Sequence, residues 1–270
     1  MASRIHWVDA FAETPFEGNP AAVYLADRMP SDAWMGSLAA ELGLSETAYV
    51  APEDDAFRLR WFTPETEVDL CGHATLASAH ALWDAGRVED DATIRFQTRA
   101  GALGAVRSGA WIALDFPSTP PLETPAPAGL IEALGLEPRY VGRTAQDDWL
   151  VELADEALVR GLAPDMARLA EVPARGVIVT SRASMERADF VSRFFAPRVG
   201  VDEDPVTGSA HCALAPYWSE RLDRAELVGY QASERGGIVR TRIAGERVVL
   251  QGKAVTVLTA ELREEEEDHG

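Results

Sequence analysis

The chain has 270 residues, and 47% of them are apolar, which suffices to bury one large core or two medium ones. Its 44 acidic residues outnumber 25 basic ones and leave a formal charge of -19, which argues against nucleic acid as a partner because phosphate binding needs a basic surface. No apolar run reaches the roughly 18 residues of a membrane span, and the N-terminus lacks a secretory leader. We therefore expect a cytoplasmic protein, and its two cysteines are expected to be unpaired thiols.

The first half of the chain is predicted to be rich in strands. Apolar and alternating segments predict strands at 4–11, 21–25, 46–51, 57–62, 92–98, 102–107 and 110–116. Ser31 is a candidate N-cap for a helix over 32–43. Residues 74–82 are small or apolar on nearly all faces, which is typical of a helix buried all round.

The second half repeats this mixture after a segment that holds five prolines, 116–129. Strands are predicted at 139–144, 148–153, 175–180, 188–196, 226–232, 237–243, 246–250 and 253–259, with one or two helices between 155 and 171 and another over 208–222. The last residues are acidic and predict a disordered tail. The predicted organisation is an N-terminal lobe 1–116, a linker 117–129, a C-terminal lobe 130–262 and a tail 263–270.

Residues 61–83 and 193–218 follow the same pattern, about half a chain length apart. In each, an apolar strand ends in Phe-x-Pro, an acidic loop follows, and Gly-x-Ala opens a helix at Gly72 or Gly208. This repeat predicts an α+β protein with two pseudo-equivalent lobes, each a curled, mainly antiparallel sheet wrapped around a central helix. Two helix N-termini that face one cleft would offer N–H groups to an anion.

Two residues of the first lobe are candidates for acid–base chemistry. Glu46 lies between a predicted helix and a strand beside apolar neighbours, and partial burial there would raise its pKa towards the working range of a general acid or base. His73 follows Gly72 at a helix start, where the dipole favours neutral imidazole. Both residues also have ordinary interpretations, Glu46 as an exposed acid at the end of an element and His73 as a core histidine bonded to a carbonyl group.

The second lobe offers Asp204 and Ser209 at the start of its central helix. An acid near a helix N-terminus is electrostatically favourable, and a serine hydroxyl with its own N–H can bind a carboxylate or an enolate oxygen. Helix capping alone would also account for both residues.

Cys71 suggests a different chemistry, that of a two-base racemase with one thiol at each central helix start. The equivalent position beside Gly208 holds no cysteine, and Cys212 lies one turn further into the helix. We therefore interpret Cys71 as structural. No pair of histidine or cysteine residues has the spacing of a metal site, so no metal is predicted.

Five short motifs, in this order along the chain, resemble those of the phenazine-biosynthesis PhzF-like isomerases. They are Gly18-Asn19-Pro20-Ala21-Ala22-Val23, Ser45-Glu46-Thr47-Ala48, Phe62-Thr63-Pro64, Cys71-Gly72-His73-Ala74-Thr75 and Glu203-Asp204-Pro205-Val206-Thr207-Gly208-Ser209-Ala210. The resemblance implies the diaminopimelate epimerase fold, with an active site between two lobes, and a homodimer.

The resemblance also implies roles for six residues. Glu46 would be the catalytic glutamate, supported by His73, Asp204 and Ser209, and the N–H groups of Gly72 and Gly208 would bind substrate. The reaction would move a proton on a small, anionic substrate without a metal or organic cofactor. Two alternatives stay open, a two-base epimerase of the same fold and a non-catalytic protein that binds a small acid.

Overall fold

The computed structural model describes residues 4–263. In chain order the elements are β1 (Arg4–Ala10), β2 (Asn19–Leu25), α1 (Asp32–Leu42), β3 (Glu46–Glu53), β4 (Ala56–Phe62), β5 (Glu67–Val68), α2 (Gly72–Asp84), β6 (Ile94–Thr98), β7 (Gly101–Ser108), β8 (Trp111–Pro117), β9 (Leu122–Glu123), α3 (Leu130–Leu134), β10 (Tyr140–Arg143), β11 (Asp148–Glu152), α4 (Glu156–Gly161), α5 (Met166–Glu171), β12 (Gly176–Arg182), β13 (Phe190–Ala196), a 3-10 turn (Pro197–Val199), β14 (Val201–Asp204), α6 (Gly208–Leu222), β15 (Glu226–Gln231), β16 (Gly237–Ala244), β17 (Arg247–Gly252) and β18 (Ala254–Glu261). Of the helices described, none combines the length and the apolar character that a membrane crossing requires.

These elements form two compact units whose limits differ from the predicted lobes. The first unit comprises the chain up to Asp115 and the C-terminal segment from Gln251, and the second comprises Phe116–Leu250. The C-terminal strand β18 belongs to the first unit because it pairs with β1 along its whole length. The predicted acidic tail, apart from Arg263, lies outside the described residues.

The proline-rich segment 117–129, predicted as a linker, is part of the second unit. Its short strand β9 pairs with β10. Pro216 inside α6 lacks the N–H that would bond to the Cys212 carbonyl, and the N–H of Thr119 donates to that carbonyl instead at 3.1 Å. The segment is therefore held by a backbone group that the helix cannot satisfy by itself.

Strand pairing in the first unit is mainly antiparallel, with two parallel pairs. β2 runs parallel to β3, and β4 runs parallel to β6. The antiparallel partners are β1 with β2 and β18, β4 with β3 and β5, and β7 with β6 and β8.

The second unit repeats this order of pairing. β11 runs parallel to β12 and β13 runs parallel to β15, whereas β12 with β13, β13 with β14 and β15 with β16 are antiparallel. Matching the registers makes β11 and β12 the counterparts of β2 and β3, and α6 the counterpart of α2. The predicted α+β fold with two pseudo-equivalent lobes is confirmed.

Each central helix is buried on nearly all sides, as its composition predicts. In α2 every residue from His73 to Ala79 is buried, and the helix packs against β1, β2, β3 and β18. Small side chains allow the strands to approach closely, while Leu76 and Leu82 fill the remaining space and stabilise the fold by about 1.5–3 kcal/mol each. This packing fixes the position of the N-terminus of α2, where His73 lies.

Candidate functional site

Glu46 is the first residue of β3, where it pairs with Ala21 of the parallel strand β2. Its side chain is 19% exposed. Burial raises the pKa of the carboxyl group above its ordinary value, and a hydrogen bond from Ser45 partly opposes this rise. Glu46 is therefore a partly buried acid at the start of a strand, with its pKa shifted in the direction that favours a general acid or base.

His73 is the second residue of α2 and brings its ring to this carboxyl group. Nε2 of His73 lies 3.3 Å from Oε2 of Glu46 and 3.5 Å from Oγ of Ser45. The contact between Nε2 and Oε2 is at ion-pair distance without hydrogen-bond alignment. The structure thus brings together the first-lobe candidates Glu46 and His73, beside Gly72 at the helix start.

The other ring nitrogen, Nδ1, faces Asn19 and Cys71. The Asn19 amide nitrogen is 3.1 Å from Nδ1, and Sγ of Cys71 is 3.6 Å from it. An amide NH₂ group only donates, so this orientation of the Asn19 amide assigns the acceptor role to Nδ1 and the proton of a neutral His73 to Nε2, on the side of Glu46. In this tautomer the imidazole presents an N–H group on the side of Glu46.

Glu46, Cys71 and His73 also place potential metal ligands within 4.8 Å of one another. The thiol lies beside Nδ1, whereas the carboxylate lies beside Nε2. An imidazole, a thiol and a carboxyl group this close together can act either as metal ligands or as a hydrogen-bonded cluster.

Ser209 is the second residue of α6 and the counterpart of His73. Its Oγ accepts a hydrogen bond of 3.1 Å from Nη2 of Arg175, which also contacts Oδ2 of Asp148. Asp148 is 1% exposed, and burial raises its pKa to about 6 even though the guanidinium opposes this shift. At neutral pH Asp148 is therefore ionised and paired with Arg175.

Asp204 ends β14, just before the turn that leads to Gly208 and α6. Its Oδ2 accepts a hydrogen bond from the Thr207 hydroxyl group, and its carbonyl oxygen accepts one of 2.7 Å from Nε2 of Gln231. Oε1 of Gln231 in turn accepts from the Thr207 N–H at 2.9 Å. Asp204 is thus part of the network that holds the N-terminus of α6.

The structure adds residues that the sequence interpretation did not assign. Asn19 and Ser45 lie inside two of the five motifs, but their contacts with His73 join residues that are distant in sequence. Arg175 and Asp148 belong to no motif, and the parallel pairing of β11 with β12 brings them together. Cys212 is buried, and burial raises the pKa of its thiol to about 12, so it is unsuited to be a second base.

Comparison with known proteins agrees with this fold. The family model described as phenazine biosynthesis-like protein matches residues 8–260. An uncharacterised isomerase of Halalkalibacterium halodurans is 50% identical over 263 residues, covering 97% of this chain and 99% of that protein. The crystal structure of a PhzF family protein from Enterococcus faecalis is 40% identical with a TM-score of 0.92, covering 97% of this chain and 99% of that one.

A more distant likeness concerns the fold alone. The crystal structure of a hydroxyproline epimerase from Agrobacterium vitis is 13% identical with a TM-score of 0.62, covering 97% of this chain and 94% of that one. The family match spans nearly the whole chain, and the curated relative is named an isomerase. The chain therefore belongs to the phenazine biosynthesis-like PhzF family and is an isomerase.

Proposed function

We propose that this isomerase moves a proton on a small, anionic substrate with Glu46 as its single general base and acid, without a metal or organic cofactor. The observation that carries the proposal is the partly buried carboxyl group of Glu46, 3.3 Å from the imidazole of His73. Its raised pKa suits a group that must both take and return a proton near neutral pH.

The proposed reaction needs no oxidant, reductant or leaving group. Ionised Glu46 removes a proton from a carbon next to a carbonyl group or an alkene, and the electron pair of that C–H bond passes into the conjugated system. The protonated carboxyl group then returns the proton to another carbon on the same face of the substrate. The Nε2–H group of His73 stabilises the anion that forms between the two steps.

The remaining sequence candidates are assigned to substrate binding in this proposal. Ser209 has a hydroxyl group at the start of α6, and Asp204 is held beside the same turn. Gly72 and Gly208 are the first residues of α2 and α6, whose N–H groups lack intrahelical partners and favour an anion. The side chains of the N-cap residues, Cys71 and Thr207, do not cap these helices.

Proton exchange with solvent tests the proposal directly. Cyclic and acyclic β,γ-unsaturated acids are incubated with the enzyme in deuterated water and followed by NMR. The wild type should introduce deuterium into a turned-over acid, and Glu46→Gln should lose about 10²–10⁴-fold in rate while keeping its fold. The matched control is Glu41→Gln on the exposed side of α1, which should exchange at the wild-type rate.

The same assay separates the competing functions. Unchanged exchange by Glu46→Gln would overturn the single-base mechanism, and binding of an acid without any exchange would indicate a small-acid-binding protein. A cytoplasmic location and a homodimer remain parts of the proposal. Light scattering coupled to gel filtration measures the second of these, and a monomer at micromolar concentration would contradict it.

A further inference from the structure

The two units place different chemistry at equivalent positions. Strand registers make Ser45, just before β3, the counterpart of Arg175, just before β12. In the first unit the Ser45 hydroxyl lies 3.5 Å from the ring of His73, the second residue of α2. In the second unit the Arg175 guanidinium lies 3.1 Å from Ser209, the second residue of α6.

We propose that Arg175 and Ser209 form an anion site that binds a carboxylate group of the substrate, a proposal that rests on the isomerase function above. In the repeated scaffold, Ser45 and His73 of the first unit correspond to Arg175 and Ser209 of the second, so a guanidinium and a hydroxyl group stand where the first unit has a hydroxyl group and an imidazole. Such a pair is suited to hold a carboxylate through charge-assisted hydrogen bonds.

Arg175 is held rigidly although it is part-exposed. Its guanidinium contacts the buried carboxylate of Asp148 and lies 5.5 Å from the centre of the Phe194 ring. That ring occupies the space above Gly176, where a Cβ atom would meet it at 2.2 Å. The Arg175 side chain nevertheless stays 38% exposed, so it is held by these contacts and remains partly accessible.

The placement of Arg175 is electrostatically unfavourable for the helix alone. A cation at a helix N-terminus opposes the helix dipole, which favours negative charge at that end. Asp148 offsets this charge from the buried side. A carboxylate on the exposed side would be attracted by Arg175 and by the first N–H groups of α6 together.

The hydrogen bond from Arg175 also sets the direction of the Ser209 hydroxyl group. Oγ of Ser209 accepts from the guanidinium, so the hydroxyl proton is available for a second acceptor. A carboxylate oxygen is such an acceptor. Ser209 is thus presented to substrate as a donor.

Acetate is the probe for this site. Sodium acetate is titrated into ¹⁵N-labelled protein at constant ionic strength, and the amide resonances of residues 208–210 are followed. Arg175→Gln should weaken acetate binding by about tenfold or more, since that loss corresponds to one charge-assisted hydrogen bond. The matched control is Arg143→Gln, which removes another part-exposed arginine paired with an aspartate, Asp147, and should bind acetate as the wild type does.

A second variant distinguishes binding from structural support. Asp148→Asn keeps an acceptor for Arg175 but removes the competing negative charge, so it should tighten acetate binding. The double variant that carries both Asp148→Asn and Arg175→Gln leaves no unpaired buried charge at this position. It should still bind acetate weakly. Wild-type affinity in Arg175→Gln, or equal weakening in Arg175→Gln and Asp148→Asn, would overturn the proposal.

The result is separable from that of the isomerase proposal. Failure of the anion site would leave wild-type proton exchange intact, and failure of the isomerase function would leave acetate binding intact. For an acid that does exchange protons, Arg175→Gln should raise KM for the acid and leave KM for its primary amide unchanged. An equal effect on both compounds would contradict carboxylate recognition by Arg175.

Discussion

Oε2 of Glu46 lies 3.3 Å from Nε2 of His73, and the two residues come from the start of strand β3 and the start of helix α2. The carboxyl group is largely withdrawn from water, and the histidine carries its ring proton on the side that faces it. A carboxylate in such a place is costly to keep ionised and is correspondingly basic. Four predictions follow from this pair and its neighbours.

Glu46→Gln should stabilise the protein above the ordinary pKa of glutamate. A glutamate whose folded-state pKa is raised contributes stability that is present at low pH and is lost as pH rises through the folded pKa. The wild type should therefore lose stability relative to Glu46→Gln from about pH 4 upwards. Thermal unfolding between pH 4 and pH 8 measures the difference, with Glu41→Gln as the exposed control. A constant difference across this range would contradict the raised pKa.

Ser45→Ala should shift the acidic limb of kcat/KM to higher pH. The Ser45 hydroxyl group stabilises the ionised form of Glu46 and so lowers its pKa. Without that hydrogen bond, the base must be titrated at a higher pH before it can take a proton. The pH–rate profile measures this shift, and Ser37→Ala on the exposed side of α1 is the control. A limb that stays in place, or that moves to lower pH, would show that Ser45 does not act on Glu46.

Asn19→Asp should change the tautomer or the charge of His73. The wild-type amide donates to Nδ1, whereas a carboxylate of nearly the same shape accepts and favours a proton on Nδ1. The ¹⁵N chemical shifts of the ring, assigned with His73→Gln, report both nitrogens without any substrate. The wild type should show Nε2 protonated and Nδ1 bare.

Asn19→Ala provides the second test of the same contact, because it removes the donor without adding a charge. It should leave a mixture of both tautomers. A proton on Nδ1 in the wild type would overturn the assignment regardless of how either variant folds.

Much of the fold was predictable because its signals are local. The central helices are small and apolar on all faces, so burial of α2 and α6 follows from composition, and α6 spans Gly208–Leu222 as the pattern predicts. The return of β18 to β1 in the first unit is a non-local pairing, and no local pattern distinguishes it from a strand of the second unit. The proline-rich segment is held by partners that are distant in sequence, namely β10 and the Cys212 carbonyl group, which has no N–H partner at Pro216.

The candidate site likewise contains residues that local sequence signals predict and residues that only the tertiary structure brings together. Glu46 and His73 belong to motifs whose residue types suggest their chemistry, and the structure brings them together. Arg175 can be recognised as a candidate binding residue only when β11 and β12 are known to run parallel. That pairing places it beside Asp148, and its guanidinium also contacts Ser209 at the start of α6. Electrostatic partners separated by many residues leave no periodic trace in a sequence.

The last prediction concerns Cys71, which distinguishes one-base from two-base chemistry. Its thiol lies 3.6 Å from Nδ1 of His73, whereas Glu46 contacts Nε2. If Glu46 acts alone, Cys71→Ser should retain activity within about tenfold, because a general base contributes about 10²–10⁴-fold and this thiol is not one. Proton exchange by Cys71→Ser measures the effect, with Cys212→Ser in α6 as the matched buried-thiol control. A loss of 10²-fold or more in a folded Cys71→Ser variant would instead favour a two-base epimerase in which the thiol and the carboxylate act as opposite bases.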